Sequence, residues 1–397
     1  MLTGLESFLS GEGRRYRRER LGLIAHGASV TSHMEPAADA LARKGYSIST
    51  LFAPEHGMDG ALQDQVAVSP SRHRRLGVPV HSLYGDPTKP GEFARLSPNE
   101  ESLRDVDVLL FDLQDVGVRY YTFVWTMALA MASCSRLKKP LVVLDRPNPL
   151  GGNSLEGNLP DPGFLSFVGL HPVPVRHGLT AGELARYLNS ERGIGADLTV
   201  IPMKGWRRRM WFDETGLPWV MPSPNMPTLD TAAVYAGMCL LEGTNLSEGR
   251  GTTRPFELAG APYIDGHALA DAMARKRLPG VVFRPCVFTP AFHKWAGRPC
   301  GGVQTHVVDR DRFPSFRAGL ELIAAVRRLW PEEFSWKEPP YEYVSDRLPF
   351  DLLCGGEGVR KALEKGGDVG RLEPSWRADR RRFRTATIRS FLYTENR

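Results

Sequence analysis

Val106-Asp107-Val108-Leu109-Leu110-Phe111-Asp112-Leu113-Gln114-Asp115-Val116-Gly117-Val118-Arg119-Tyr120-Tyr121 decides the fold. Its first six residues read as a short apolar strand of the kind buried on both faces. They run into a loop carrying carboxylates, an amide, a cation and two aromatic rings, and an apolar helix follows over about residues 122–134. Strand, polar loop and helix make the repeating unit of an α/β sheet, in which ligands gather beyond the carboxyl ends of parallel strands.

The same unit recurs on either side. Residues 20–26 (RLGLIAH) form a strand ending in His26, and 35–44 (EPAADALARK) a helix that Gly45 can stop. Residues 46–52 form a second strand, which runs into Ala53-Pro54-Glu55-His56-Gly57. Downstream, 140–144 (PLVVL) is a strand ending in Asp145-Arg146-Pro147-Asn148-Pro149. Strands spaced by helices predict an α/β domain with a largely parallel sheet over residues 1–220. Within it, 179–189 reads as a helix capped by Thr180, with Glu183 completing a capping box, and 198–202 as a further strand. The proline-rich run 219–227 (WVMPSPNMP) marks the junction to a smaller α/β domain over 221–397. Helices at 230–241 and 316–329 and strands at 281–285 and 302–308 are expected there.

Composition narrows the class. The chain has 397 residues, 42% hydrophobic and 24% charged, the balance of a globular protein with room for two domains. No apolar run is long enough for a membrane helix, and the first twenty residues hold no signal-like apolar stretch, which predicts action in the cytoplasm, or export should a leader precede them. Five cysteines, Cys134, Cys239, Cys286, Cys300 and Cys354, are an odd number without a CxxC pair, so neither a disulfide framework nor a zinc site is expected. The net charge of +6 sits largely in the runs 14–20, 207–209 and 380–384. These lack regularly interleaved aromatics and read as a solvated basic face, with no nucleic-acid partner. GxGxxG, P-loop, GxSxG and HExxH signatures are all missing, so no cofactor and no metal is expected.

Chemistry concentrates at the strand ends. Glu55, Asp112 with Asp115, and Asp145 each follow a strand, and His26 follows the first, so one crevice can collect them. A strand-end aspartate serves equally well to cap a helix or tie a turn, so each position also has a structural reading. Glu55 lies between a proline and a glycine that fix a tight turn, and neighbouring carboxylates raise one another's pKa, which suits a proton donor. His56 can orient that acid. Asp112, Gln114, Arg119, Tyr120 and Tyr121 mix the groups that sugar sites use, faces for stacking and polar tips for hydroxyls. Arg146 and Asn148 lie in a rigid Pro/Gly loop, and Glu156 follows as another carboxylate. Arg176 and His177 precede a helix N-terminus, a place to hold an anion. Residues 242–253 (EGTNLSEGRGTT), with Asn245 and Arg250, read as a polar loop covering the site.

At these positions the sequence resembles the exo-β-N-acetylmuramidase family. The resemblance rests on Phe52-Ala53-Pro54-Glu55-His56-Gly57, on residues 111–121, on Leu144-Asp145-Arg146-Pro147-Asn148-Pro149, on Pro174-Val175-Arg176-His177-Gly178-Leu179-Thr180, on 242–253 and on the ending 350–393. It spans nearly the whole chain. It implies a Rossmann-like domain with a smaller α/β domain behind it, an active site in the cleft between them, and release of N-acetylmuramic acid from the non-reducing end of peptidoglycan fragments. Glu55 carries over as a catalytic residue and is assigned the general acid's part. Asp115 or Glu156 is assigned the opposite face of the sugar, with attack by the substrate's own acetamido oxygen as the alternative. His26, His56, Asp112, Gln114, Arg119, Tyr120, Tyr121, Arg146, Asn148, Arg176, His177, Asn245 and Arg250 are expected in the substrate cleft. Arg119, Arg146 or Arg250 would pair with the lactyl carboxylate of muramic acid. The partner expected is a muramic-acid-containing oligosaccharide, with no membrane partner and the oligomeric state left open. A non-catalytic muropeptide-binding protein and an amidase acting on the lactyl-peptide link are the competing readings.

Overall fold

The computed structural model describes residues 1–67 and 69–393. Seven strands form the first sheet: β1 (Arg20–Ala25), β2 (Ser47–Ala53), β3 (Ser71–Arg72), β4 (Pro79–Ser82), β5 (Val108–Asp112), β6 (Leu141–Leu144) and β7 (Leu198–Ile201). Their order is β3-β4-β2-β1-β5-β6-β7, parallel throughout except for β3, which runs antiparallel to β4 at the edge. The central strands β5 and β6 are buried at every residue, the continuous apolar pattern of a parallel sheet covered on both faces. The hairpin β3–β4 and the strand β8 (Leu258–Ala261) were not foreseen in the sequence. β8 joins β9 (Val281–Phe288) and β10 (Cys300–Val307) in a second, antiparallel sheet of order β8-β10-β9.

Two apolar layers hold the first sheet. On one face Leu5, Phe8, Ala37 and Leu41 pack over Leu21, Leu23, Leu51 and Leu110. On the other, the helices Phe123–Leu137 and Ala181–Glu191 pack over Ile24, Phe52, Leu109, Phe111 and Val143. This second layer continues without a break into the later half, through Tyr235, Phe256, Phe316 and Phe350. The two halves therefore share one core, and relative motion between them would expose apolar surface.

Local chemistry explains the element ends. Thr180 and Glu183 cap the helix Ala181–Glu191 reciprocally, as the capping box predicts. The helix Phe123–Leu137 stops where Lys138 turns left-handed at φ 52°. In the later half the helices Leu229–Met238 and Ser315–Leu329 cross backbone to backbone through Gly237 and Gly319. A Cβ on Gly237 would fall 1.9 Å from the Ser315 carbonyl oxygen, so only glycine fits.

The strand order reverses between β1 and β5, since β2 and β4 continue to one side and β6 and β7 to the other. A crevice opens beyond the carboxyl ends at such a switch point. Here His26 fills it: its Nδ1 faces the Pro222 carbonyl at 3.2 Å and its Nε2 accepts the Gln114 N–H at 3.0 Å. Those two partners fix a neutral ring with the proton on Nδ1. Burial, helped by the charge of Arg146, pushes the His26 pKa down to about 3. Among the described residues no helix is long and apolar enough to cross a membrane.

Candidate active site

The pocket opens beside the plugged switch point, above the end of β2, where the later half closes over it. The space between its walls, counted out into open solvent, is about 520 Å³. One wall is the turn after β2. His56 and Gly57 are both left-handed, at φ 71° and 81°, and the chain then folds back so that His56 Nδ1 meets the Leu62 carbonyl at 2.9 Å. This reversal turns Glu55 and His56 inward and brings Asp64 and Gln65 to the rim. A second wall is the start of the helix Phe123–Leu137, with Tyr120, Tyr121 and Thr122. The third comes from the later half: Tyr235, Glu242, Arg250, Phe256, Tyr341 and Glu342.

Four carboxyl groups line this space, and they divide into two pairs. Glu242 and Asp64 share Arg250, whose guanidinium lies 3.0 Å from Glu242 and 3.3 Å from Asp64. A further contact of 3.3 Å joins Arg250 to Glu248, which Lys294 also meets at 2.9 Å. Burial works against the charge on Arg250, but the three carboxylates outweigh it and hold its pKa well above the ordinary value. The Arg250 Nε–H stays buried without an acceptor.

Glu55 and Glu342 are different, for neither has an ion-pair partner among the described residues. Glu55 Oε2 accepts the Thr122 hydroxyl at 2.8 Å. Glu342 is only 4% exposed and accepts the Tyr84 hydroxyl at 3.2 Å on both oxygens. Burial first, and then the charges of Glu55 and Glu242, push the Glu342 pKa well above the usual carboxylate range.

Of the residues singled out in the sequence, the structure gathers Glu55, His56, Tyr120, Tyr121 and Arg250 around this pocket. The others lie outside its lining, and most are engaged elsewhere, although Asp115 Oδ1 and His177 Nε2 are buried without a hydrogen-bond partner among the described residues. Asp112 holds Arg146 through two contacts of 2.7 and 2.8 Å, tying β5 to the loop after β6. Gln114 donates to the carbonyls of Asp115 and Pro147, and Asn148 to that of Leu179. Asp115 accepts the Gly117 N–H at 2.6 Å and faces His177 Nε2 at 3.7 Å. Glu156 pairs with Arg176 at 3.1 Å and accepts the Phe316 N–H at 2.9 Å, the task of a helix cap. Arg119 is fully buried and donates only to backbone carbonyls, those of Asn158, Val173 and Leu353. Asn245 binds the Glu333 carbonyl and the Tyr263 hydroxyl. Asp145 accepts from Thr180, Gly182 and Tyr393, and burial raises its pKa to about 7. His26 plugs the switch point.

The polar residues not foreseen are Asp64, Gln65, Thr122, Ser223, Asn225, Tyr235, Glu242, Tyr341 and Glu342, with Phe123, Val168, Met226 and Phe256 as apolar lining. Ser223 and Asn225 belong to the run expected as a domain junction, and Glu242 to the polar loop expected over the site. For Glu342 the one local signal is its place between two tyrosines.

Breaking a glycosidic bond calls for carboxyl groups sheltered from bulk water, and sugar rings are held by aromatic faces and hydrogen-bonding tips. The pocket supplies both, and the class that fold and pocket together define is a two-domain α/β glycoside hydrolase. Comparison with known proteins narrows the class. Residues 21–230 match the N-terminal and residues 233–393 the C-terminal family model of the exo-β-N-acetylmuramidase NamZ. The chain belongs to that family. It is 43% identical to the peptidoglycan β-N-acetylmuramidase NamZ of Bacillus subtilis (strain 168) over 98% of this chain and 91% of that protein. Two crystal structures of DUF1343 family proteins from Bacteroides fragilis NCTC 9343 share its fold. One superposes with a TM-score of 0.87 at 32% identity, covering 99% of this chain and 98% of its own. The other has a TM-score of 0.77 at 28% identity, covering 100% and 99%.

Proposed function

We propose that this chain is an exo-β-N-acetylmuramidase releasing N-acetylmuramic acid from the non-reducing end of peptidoglycan fragments, with Glu55 as a catalytic carboxyl group. One observation carries the reading within the family: the pocket holds two carboxyl groups, Glu55 and Glu342, that no cation among the described residues pairs with. Asp112, Glu156 and Glu183 are paired with arginines, and Asp145, which has no cation, is held by three donors from Thr180, Gly182 and Tyr393. An unpaired pair in a confined space is instead suited to moving protons.

The remaining lining fits the substrate. Tyr120, Tyr121, Tyr235 and Tyr341 offer faces and hydroxyls to a pyranose ring, and Asn225 and Gln65 offer amides to its acetamido and hydroxyl groups. Arg250 is the arginine of this lining, and its free Nε–H is available to the lactyl carboxylate that separates muramic acid from glucosamine. Arg119 and Arg146 donate to groups away from the pocket, which favours Arg250 for that role.

The test is release of nitrophenol from 4-nitrophenyl β-N-acetylmuraminide by the wild type and by Glu55→Gln, with the N-acetylglucosaminide as control. Turnover of the muraminide alone is expected, falling by roughly a hundredfold or more in the variant. A folded Glu55→Gln protein with undiminished turnover would remove Glu55 from the mechanism, and inactivity of the wild type would remove the glycosidase reading.

A further inference from the structure

We propose that Glu342 is the group that protonates the departing glycosidic oxygen, with Glu55 beside it as the second catalytic carboxyl group. This rests on the glycosidase reading above and assigns its acid to the later half of the chain.

The backbone argues first. Glu342 and Tyr343 are consecutive non-glycine residues in the left-handed region, at φ 45° and 67°. Such residues carry backbone strain and persist only where their surroundings enforce it. The enforcement is visible. The Tyr343 N–H reaches the Pro87 carbonyl at 2.7 Å, the Tyr343 hydroxyl reaches Gly85 at 3.3 Å, and the Tyr341 hydroxyl donates to Glu242 at 2.7 Å. The segment is thus pinned to both halves, and the residue it delivers into the pocket is a carboxyl group.

The surroundings argue second. The charged groups that bear on Glu342 are Glu55, Asp64 and Glu242, all carboxylates, while Arg250 is engaged with Asp64, Glu242 and Glu248. Like charges and burial together favour the neutral acid. Among the described residues its hydrogen-bond donor is the Tyr84 phenol, which also meets Glu55 and is held far above its ordinary pKa by burial and by Glu342 and Glu55. Glu55 accepts the Thr122 hydroxyl at 2.8 Å and stands as the second carboxyl group of the pocket. Glu342, buried among carboxylates, is the one placed to carry the proton.

The step balances. The Glu342 O–H passes its proton to the glycosidic oxygen as the bond from that oxygen to the anomeric carbon breaks, and the bonding electrons leave with the oxygen. The departing sugar is then a neutral alcohol. Water supplies the other half, its oxygen bonding to the anomeric carbon and its proton passing to Glu55. Return of that proton to Glu342 completes the cycle.

The experiment compares two leaving groups. Nitrophenolate departs without a proton, whereas the 4-hydroxyl of N-acetylglucosamine needs one. Glu342→Gln should lose about 10²–10⁴-fold in kcat/KM on the disaccharide N-acetylmuramyl-β-1,4-N-acetylglucosamine. On the nitrophenyl muraminide it should lose less than about tenfold, and the alkaline fall of its pH profile should vanish. Glu55→Gln should lose activity on both substrates. Tyr84→Phe, which removes a donor to the Glu342 anion, should move the alkaline fall of the wild-type profile to higher pH. Equal losses on both substrates in Glu342→Gln, or none on either, would overturn the assignment, as would an unmoved alkaline limb in Tyr84→Phe should Glu342→Gln fail to fold. A wild type that hydrolyses neither substrate would instead sink the glycosidase reading, and this assignment with it.

Discussion

Acidification should loosen this protein through His26, and the size of the effect follows from the plug at the switch point. The ring is neutral in the fold, donating to Pro222 and accepting from Gln114, with a pKa pushed down to about 3. An unfolded histidine titrates near about 6.5. The native state therefore binds fewer protons than the unfolded state between these values, so the contribution is complete above pH 6.5 and is lost as pH falls. Each pH unit in that window is worth about 1.4 kcal/mol, which gives a loss of about 2.5 kcal/mol between pH 7 and pH 4.5. Since pH 4.5 lies above the folded value, the figure is set mainly by the unfolded one. Other titrating groups are cancelled by comparison with His26→Gln, whose amide can donate and accept in the same way but does not ionise. Urea unfolding of both proteins at pH 7, 6 and 4.5 would give the difference directly. The wild type should lose about 2.5 kcal/mol relative to the variant on going to pH 4.5. A gap that is the same at all three pH values would refute the reasoning, because it would mean that His26 is as free to take a proton folded as unfolded.

Two further outcomes are expected. Gly237→Ala places a Cβ 1.9 Å from a backbone oxygen, and neither helix can relieve that by changing a rotamer. The loss should be about 3 kcal/mol or more by denaturant unfolding, the upper end for overpacking. Arg208 and Glu183 form a fully buried pair at 2.6 Å, and Arg208→Met leaves Glu183 charged and alone, at a cost of about 3–5 kcal/mol. Adding Glu183→Gln to that variant should restore part of the loss, and a double variant no more stable than the single one would contradict the ion-pair account.

The parallel sheet was legible because its central strands are apolar at every position, and the helix Ala181–Glu191 because Thr180 and Glu183 write its start into the sequence. The hairpin β3–β4 was not, since β3 has two residues, both exposed, and so carries no burial pattern. Within the site, Glu55 could be read because a proline and a glycine mark its turn. Asp112 and Asp145 follow their strands in the same way, yet one anchors Arg146 and the other ties a helix start to Tyr393. Position after a strand is common to catalytic and structural carboxylates, and only the partner separates them. Glu342 was beyond reach because its segment has no periodicity, and its place in the pocket comes from bonds to Pro87 and Gly85, more than 250 residues earlier in the chain.

That long return shapes how the molecule comes into being. The pocket's walls are drawn from Glu55 near one end of the chain and from Tyr341 and Glu342 near the other, over a single shared core. On a ribosome, the first wall emerges long before the last can be made. The nascent chain thus passes through most of its synthesis with no sugar-cleaving centre, and competence arrives in one step when the final segment docks. Pairings of such sequence separation also close slowly, so gain of activity during refolding should trail gain of helix and sheet.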